Sequence, residues 1–115
     1  MDKIEIGMSV LKKTKYTILP VNIWVSSDLS VNPREPRIHF QNNYSDKASS
    51  MNDLIPLSII DGRFLDDKQV NISQCDLYSV RRFIELNREL LLKLWIQEID
   101  EEDFRSEANF NIHQM

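Results

Sequence analysis

Between residues 77 and 95 the apolar side chains return with the period of an α-helix, and this stripe constrains the fold more than any other stretch. Leu77, Val80, Phe83, Ile84, Leu91, Leu94 and Trp95 share one side of a helical projection, with Asn87 interrupting it and Leu90 beside it. Arg81, Arg82, Glu85, Arg88, Glu89 and Lys93 fall mostly opposite. A helix with one apolar side must bury that side against a second layer. Ser73, three residues before Asp76, is an N-cap with the shorter relative of the usual Glu partner. The spacing therefore predicts a helix over 75–97, with a short helical turn at 100–106. Arg81–Glu85 and Glu89–Lys93 are expected i,i+4 pairs, worth ~0.3 kcal/mol each.

The first half supplies the second layer, because there the period changes to two. Ile4, Ile6, Met8 and Val10 alternate with polar residues and Gly7, as a half-buried strand does. Leu19, Val21, Ile23 and Val25 repeat the alternation, and Pro20 suggests an edge or a bulge. Residues 26–36 are a loop. In 37–41, Ile38 and Phe40 point one way while Arg37, His39 and Gln41 point the other. Leu54 to Ile60 reads as a fourth strand closed by Asp61-Gly62. Phe64-Leu65 and Val70-Asn71-Ile72 are short strand candidates. The connections are too short for helical crossovers, so 19–26, 37–42 and 54–60 should pair antiparallel. The expected fold class is α+β: a curved antiparallel sheet of four to five strands packed against one long C-terminal helix. With 115 residues the chain has room for one core. It reads as a single domain over 1–106 with a fraying tail, 107–115.

Composition excludes several chemistries. Two glycines cannot assemble either Gly-rich phosphate loop, and one cysteine rules out an internal disulfide or a multi-Cys zinc site. Two histidines, His39 and His113, rule out a three-His metal centre. No cofactor or metal is expected. Acids at positions 2 and 5 argue against a signal peptide, and no apolar run approaches the ~20 residues of a membrane span. A single thiol and no span point to the cytoplasm and to no membrane partner. The net charge of −4 is unevenly spread: residues 74–115 hold nine acids against five bases. That disfavours binding nucleic acid through Lys12, Lys13, Lys15 and Arg37.

His39 and Arg37 share a strand face. There an imidazole could act as acid or base and a guanidinium could hold an anion. The plain alternative for His39 is a hydrogen bond to the polar turn 42–45. Trp24, with Tyr16, would form an aromatic patch on the face opposite Ile23 and Val25. Trp95 belongs to the core stripe. Cys75 is expected to be a semi-buried, slowly reacting packing residue. The acids from Glu98 to Asp103, like Asp66-Asp67, lack calcium-loop spacing and read as a solvated helix end.

At Pro36-Arg37-Ile38-His39-Phe40 the chain resembles a family of small bacterial proteins of unknown function. That family carries Pro-Pro-His-Phe-His-Val and a C-terminal helix with a Trp-Ile-x-x-Asn pattern. His39 matches the second histidine, Arg37 stands in place of the first, and Phe83 to Trp95 is similar to the helix. Members sit in loci that look like toxin–antitoxin pairs. Small size, the acidic C-terminal part, the aromatic patch and the lack of a catalytic constellation point to a small accessory protein that binds and regulates a protein partner, and the resemblance implies a toxin–antitoxin-like, defence or mobile-element setting. Trp24, Arg37, His39 and Gln41 are the expected contact residues. The alternative is a compact ribonuclease-type toxin using His39 and Arg37.

Overall fold

The computed structural model of the chain describes residues 8–11, 19–28, 34–47 and 50–112. Four strands, β1 (Met8–Leu11), β2 (Ile23–Ser26), β3 (Arg37–Gln41) and β4 (Leu54–Ser58), form one open antiparallel sheet in the order β1-β2-β3-β4. Two helices follow, α1 (Gln74–Trp95) and α2 (Glu101–Glu107). The fold is α+β. Among the described residues the fifth strand is absent: Phe64 makes a single bridge to Leu57, and 70–72 forms no ladder although Ile72 is buried.

Period and register together build the core. Ile38 stands opposite Leu57, and Phe40 opposite both Ile55 and Ile23. These residues are fully buried in one cluster with Val80, Phe83, Ile84, Leu91 and Leu94 of α1. The helical stripe thus covers the odd-numbered face of β2 and the Ile38–Phe40 face of β3. Leu19 and Val21 also reach the core, but from a bend before β2, so Pro20 sits outside the ladder. In β1 the frame is reversed from expectation. Val10 pairs with Trp24 and Leu11 with Ile23, so Leu11 is the core residue and Val10 lies on the far face. A one-residue shift exchanges the faces of a strand. Ile4, Ile6 and the Lys12–Lys13–Lys15 cluster lie outside the described residues.

Both ends of α1 are closed by side chains or backbone. The Ser73 hydroxyl accepts from the Asp76 N–H at 3.1 Å, the cap read from the sequence. At the other end Gln97 takes a left-handed φ of 58°. The Gln97 N–H reaches the Leu94 carbonyl and the Glu98 N–H the Lys93 carbonyl, the paired bonds of a Schellman ending. Cys75 is exposed in the first turn rather than semi-buried. Of the surface pairs, Arg82–Glu85 forms, whereas Arg81 donates to the Gly62 carbonyl and lies over the Phe64 ring. Gly62 itself, at φ 76°, needs the freedom of a glycine. Among the described residues no helix is long and apolar enough to cross a membrane.

Asn87, the gap in the stripe, breaks the helical geometry of α1 locally (φ −120°, ψ 17°). Its amide nitrogen donates to the carbonyls of Phe83 (2.9 Å) and Asn109 (2.8 Å), and its oxygen accepts the Asn109 N–H. The residues after α2 are thereby fastened to α1. Phe110 stacks on Phe83 at 5.7 Å and Ile112 is buried in the core. The tail expected to fray from 107 is therefore packed as far as Ile112. Its apolar residues complete the core, and the Asn87 amide satisfies its backbone.

Leu91→Ala should lower stability by ~2–5 kcal/mol in urea unfolding, the range for a buried leucine. Asn87→Ala should cost about 1–3 kcal/mol, because buried backbone groups lose their partner. It should also expose the segment after residue 107 to proteolysis. A tail that remains protected in Asn87→Ala would contradict the clamp.

Candidate functional site

The sheet face turned away from α1 carries the residues singled out from the sequence. Successive pairings place Val10, Trp24, His39 and Pro56 in one row across all four strands. Arg37 pairs with Ser58 on one side of that row, and Gln41 with Leu54 on the other. Trp24, Arg37, His39 and Gln41 therefore do share a face, as the two-residue period requires. His113 and Tyr16 lie outside the described residues.

The face is not open along its length. Trp24 and Arg37 are half-buried, His39 is 7% exposed and Gln41 has no exposed surface. Gln41 is a structural residue and offers no contact surface. It accepts from the Asn22 amide at 3.1 Å and donates to the Asn43 side chain at 2.7 Å and the Ser45 carbonyl at 3.0 Å. The hydrogen bonding to the turn after β3 thus belongs to Gln41 and not to His39. Lys68 reaches over β4 to the Leu54 carbonyl at 3.0 Å, and the Leu65 N–H bonds Pro56.

His39 lies among cations. Its Nδ1 is enclosed and has no hydrogen-bond partner among the described residues. Burial, then the charges of Arg37, Arg34 and Lys68, lower its pKa from 6.5 to about 4. The imidazole is consequently neutral at pH 7. Its neighbour Arg37 donates Nε to the Glu35 carbonyl at 3.1 Å and makes no ion pair among the described residues. The Glu35 carboxylate is engaged elsewhere, by the Ser58 hydroxyl at 2.6 Å and by Arg63. Those contacts, the Ser58 bond first, hold its pKa below the usual carboxylate value. Arg34 bonds the buried Asp28 carboxylate and lies 5.9 Å from the Trp95 ring centroid.

Sequence reading missed Arg34, Lys68 and Asp28 as parts of this site. Arg34 and Asp28 lie in a loop and Lys68 in a polar stretch with no period, so only the folded backbone brings them near β3. Of the Glu98–Asp103 acids, Asp100 to Asp103 serve the start of α2. Asp100 caps the Asp103 N–H at 2.8 Å, and Glu101, Glu102 and Asp103 fill the first turn, where the helix dipole favours negative charge. Among the described residues no group of three or more His, Cys, Asp or Glu is placed to hold a metal ion. No protein-family model, curated protein or solved structure matches the chain.

The depressed His39 pKa has a definite sign in stability. Above pH 6.5 the group is neutral in both folded and unfolded chains and contributes nothing. As pH falls from 6.5 towards 4 the unfolded chain takes up a proton that the folded chain refuses, so stability falls. Between pH 7 and pH 5 the wild type should lose about 2 kcal/mol more than His39→Gln in urea unfolding. Glu35 and Asp61, whose pKa values are also lowered, are common to both proteins and cancel in the comparison. Equal pH dependence in the two proteins would place His39 in water.

Proposed function

We propose that the chain is a small interaction protein that binds a carboxylate-bearing segment of a protein partner on the β3 face, through Trp24 and Arg37 on either side of His39. The observation that carries this reading is Arg37: a half-buried guanidinium on a sheet face, beside an enclosed neutral imidazole, that feels the Glu35 and Asp28 carboxylates at a distance but makes no direct ion pair among the described residues, since both acids are bonded to other partners. A partly desolvated cation gains most from an anion supplied across an interface, where the bond is charge-assisted. Trp and Arg are also the residues most enriched among binding hot spots. His39 contributes shape and a neutral wall, and Gln41 holds the strand end. The regulatory setting, a toxin–antitoxin-like, defence or mobile-element locus in a bacterial cytoplasm, rests on the resemblance at residues 36–40 and 83–95.

The ribonuclease reading fares worse on the same geometry. A general acid must carry the proton that it donates. An imidazole with a pKa of about 4 has no proton to donate at neutral pH and, as a base, is a weak acceptor of one, and no second His, Asp or Glu stands in hydrogen-bond contact with it among the described residues. Expression of the wild type should therefore leave growth unaffected by any nuclease activity of its own.

Paired substitution tests the surface. Trp24→Ala with Arg37→Ala should abolish capture of the stoichiometric partner from the native host, at unchanged thermal stability. Arg82→Ala with Glu89→Ala, on the polar side of α1, should leave capture intact. Growth arrest that depends on His39, or loss of capture from the helix pair alone, would overturn the assignment.

A further inference from the structure

Residues 108–112 lie against α1 in the manner of a bound peptide. Ala108, Phe110 and Ile112 pack on the core cluster, and Asn109 and Asn111 between them are exposed. That is the two-residue alternation of an extended segment. The groove that receives them lies between α1 and α2. Phe83 is its floor: Phe110 stacks on that ring at 5.7 Å, and Phe104 of α2 meets it edge-on at 6.4 Å.

The polar contact has the same character. The Asn87 side chain takes both backbone groups of Asn109: its oxygen accepts the N–H at 2.6 Å and its nitrogen donates to the carbonyl at 2.8 Å. An amide that pairs with both groups of one residue supplies what a neighbouring strand would supply. It reads the main chain and leaves the Asn109 side chain outside, where that side chain accepts the Asn111 N–H at 2.9 Å. Main-chain bonds combined with pockets for alternate side chains are how proteins take up extended segments of other chains.

Two observations set this segment apart from the rest of the core. Asn87 is 2% exposed, stands on the apolar stripe and disrupts the helix that carries it. An aliphatic residue there would continue the stripe and favour a regular helix, so the amide serves the segment more than it serves α1. Its two bonds are also the only hydrogen bonds that join 109–112 to the rest of the chain among the described residues. One clamp, one half-buried ring and one buried aliphatic side chain hold the segment. Segments held by so few contacts open locally well before a molecule unfolds, and opening here vacates the groove.

We infer that the groove between α1 and α2 is a docking site for an extended segment of another protein, with a small, an aromatic and an aliphatic side chain at alternate positions, and that residues 108–112 are its resident occupant. The side chains between those three are unconstrained, because the clamp reads only backbone. The tail competes in cis, at an effective concentration on the order of millimolar for a short link. A partner displaces it by adding contacts outside the groove. The site lies on the α1 side of the sheet, away from the Trp24–Arg37–His39 face, and does not depend on the reading given for that face.

The probe is an unlabelled peptide with the sequence of residues 107–112 and blocked ends, added at millimolar concentration to the full chain labelled with nitrogen-15. In the wild type the protein's own Asn109 and Ile112 amides should move progressively to free-chain positions, while Phe83 and Asn87 change little because the groove stays filled. Phe110→Ala, whose tail competes less, should bind the peptide about tenfold more tightly than the wild type. Adding Asn87→Leu to Phe110→Ala should weaken binding about tenfold, because the backbone clamp is gone. A peptide with serine in place of its phenylalanine and isoleucine should not bind. The inference is overturned if the wild-type tail stays seated at every peptide concentration, even where Phe110→Ala binds, since the tail is then ordinary core. Equal binding of the serine peptide, or no effect of Asn87→Leu, would overturn it too. So would dimers in sedimentation that form by exchange of tails, because the occupant would then be a second copy of this chain.

Discussion

The rest of the structure depends on a strand enclosed on both faces. β3 has a neighbour on each side, α1 beneath it, and a largely covered face above it. Its apolar residues, Ile38 and Phe40, meet the demand of burial without cost. Its polar residues must each solve the problem of leaving water. Gln41 does so with a satisfied amide network. Arg37 keeps half of itself in solvent. His39 does so by staying neutral, because burial and then its cationic surroundings disfavour the charged ring and its Nδ1 has no partner among the described residues. The face proposed for partner contact is what remains of this arrangement once the structural needs of the strand are met.

A second constraint is how α1 holds the segments it does not cover with apolar area. Its polar side works by reading backbone carbonyls. Arg88 donates to the Ile59 carbonyl at 2.7 Å and Arg81 to that of Gly62 at 2.9 Å, which fixes the turn after β4. Asn87 does the same for the tail, and Arg105 of α2 reaches the Val10 carbonyl of β1 at 2.9 Å. Each bond joins segments distant in sequence, so helices, tail and sheet are coupled through polar contacts as well as through the core. The break in helical geometry at Asn87 is the local expense of that coupling.

What the sequence revealed follows from periodicity. The β3 alternation, the α1 stripe, the Ser73 cap and the turn at Asp61-Gly62 are local patterns, and local patterns determine which residues share a face. They do not say whether the face is covered. That is why Gln41 was read as a contact residue and proved to be internal. The reversed frame of β1 has a similar cause: Val10 and Leu11 are adjacent apolar residues, and pairing with β2 alone decides which one turns inward. The Asn87 clamp was visible as an interruption without a meaning, since its partner lies 22 residues away. Arg34, Asp28 and Lys68 carry no periodic signal at all, yet Arg34 and Lys68 add to the charge of Arg37 around His39.

The functional account turns on His39 being an enclosed, neutral member of a cation-flanked face that awaits an anion, and not a proton-transferring group in water. Titration of its ring by NMR, read at the imidazole carbon and nitrogen resonances, tests this most directly. The account predicts a midpoint near 4, with the ring neutral throughout the physiological range. A midpoint at or above the ordinary value of 6.5 would contradict it, because it would mean that the imidazole meets solvent or an acidic partner of its own chain.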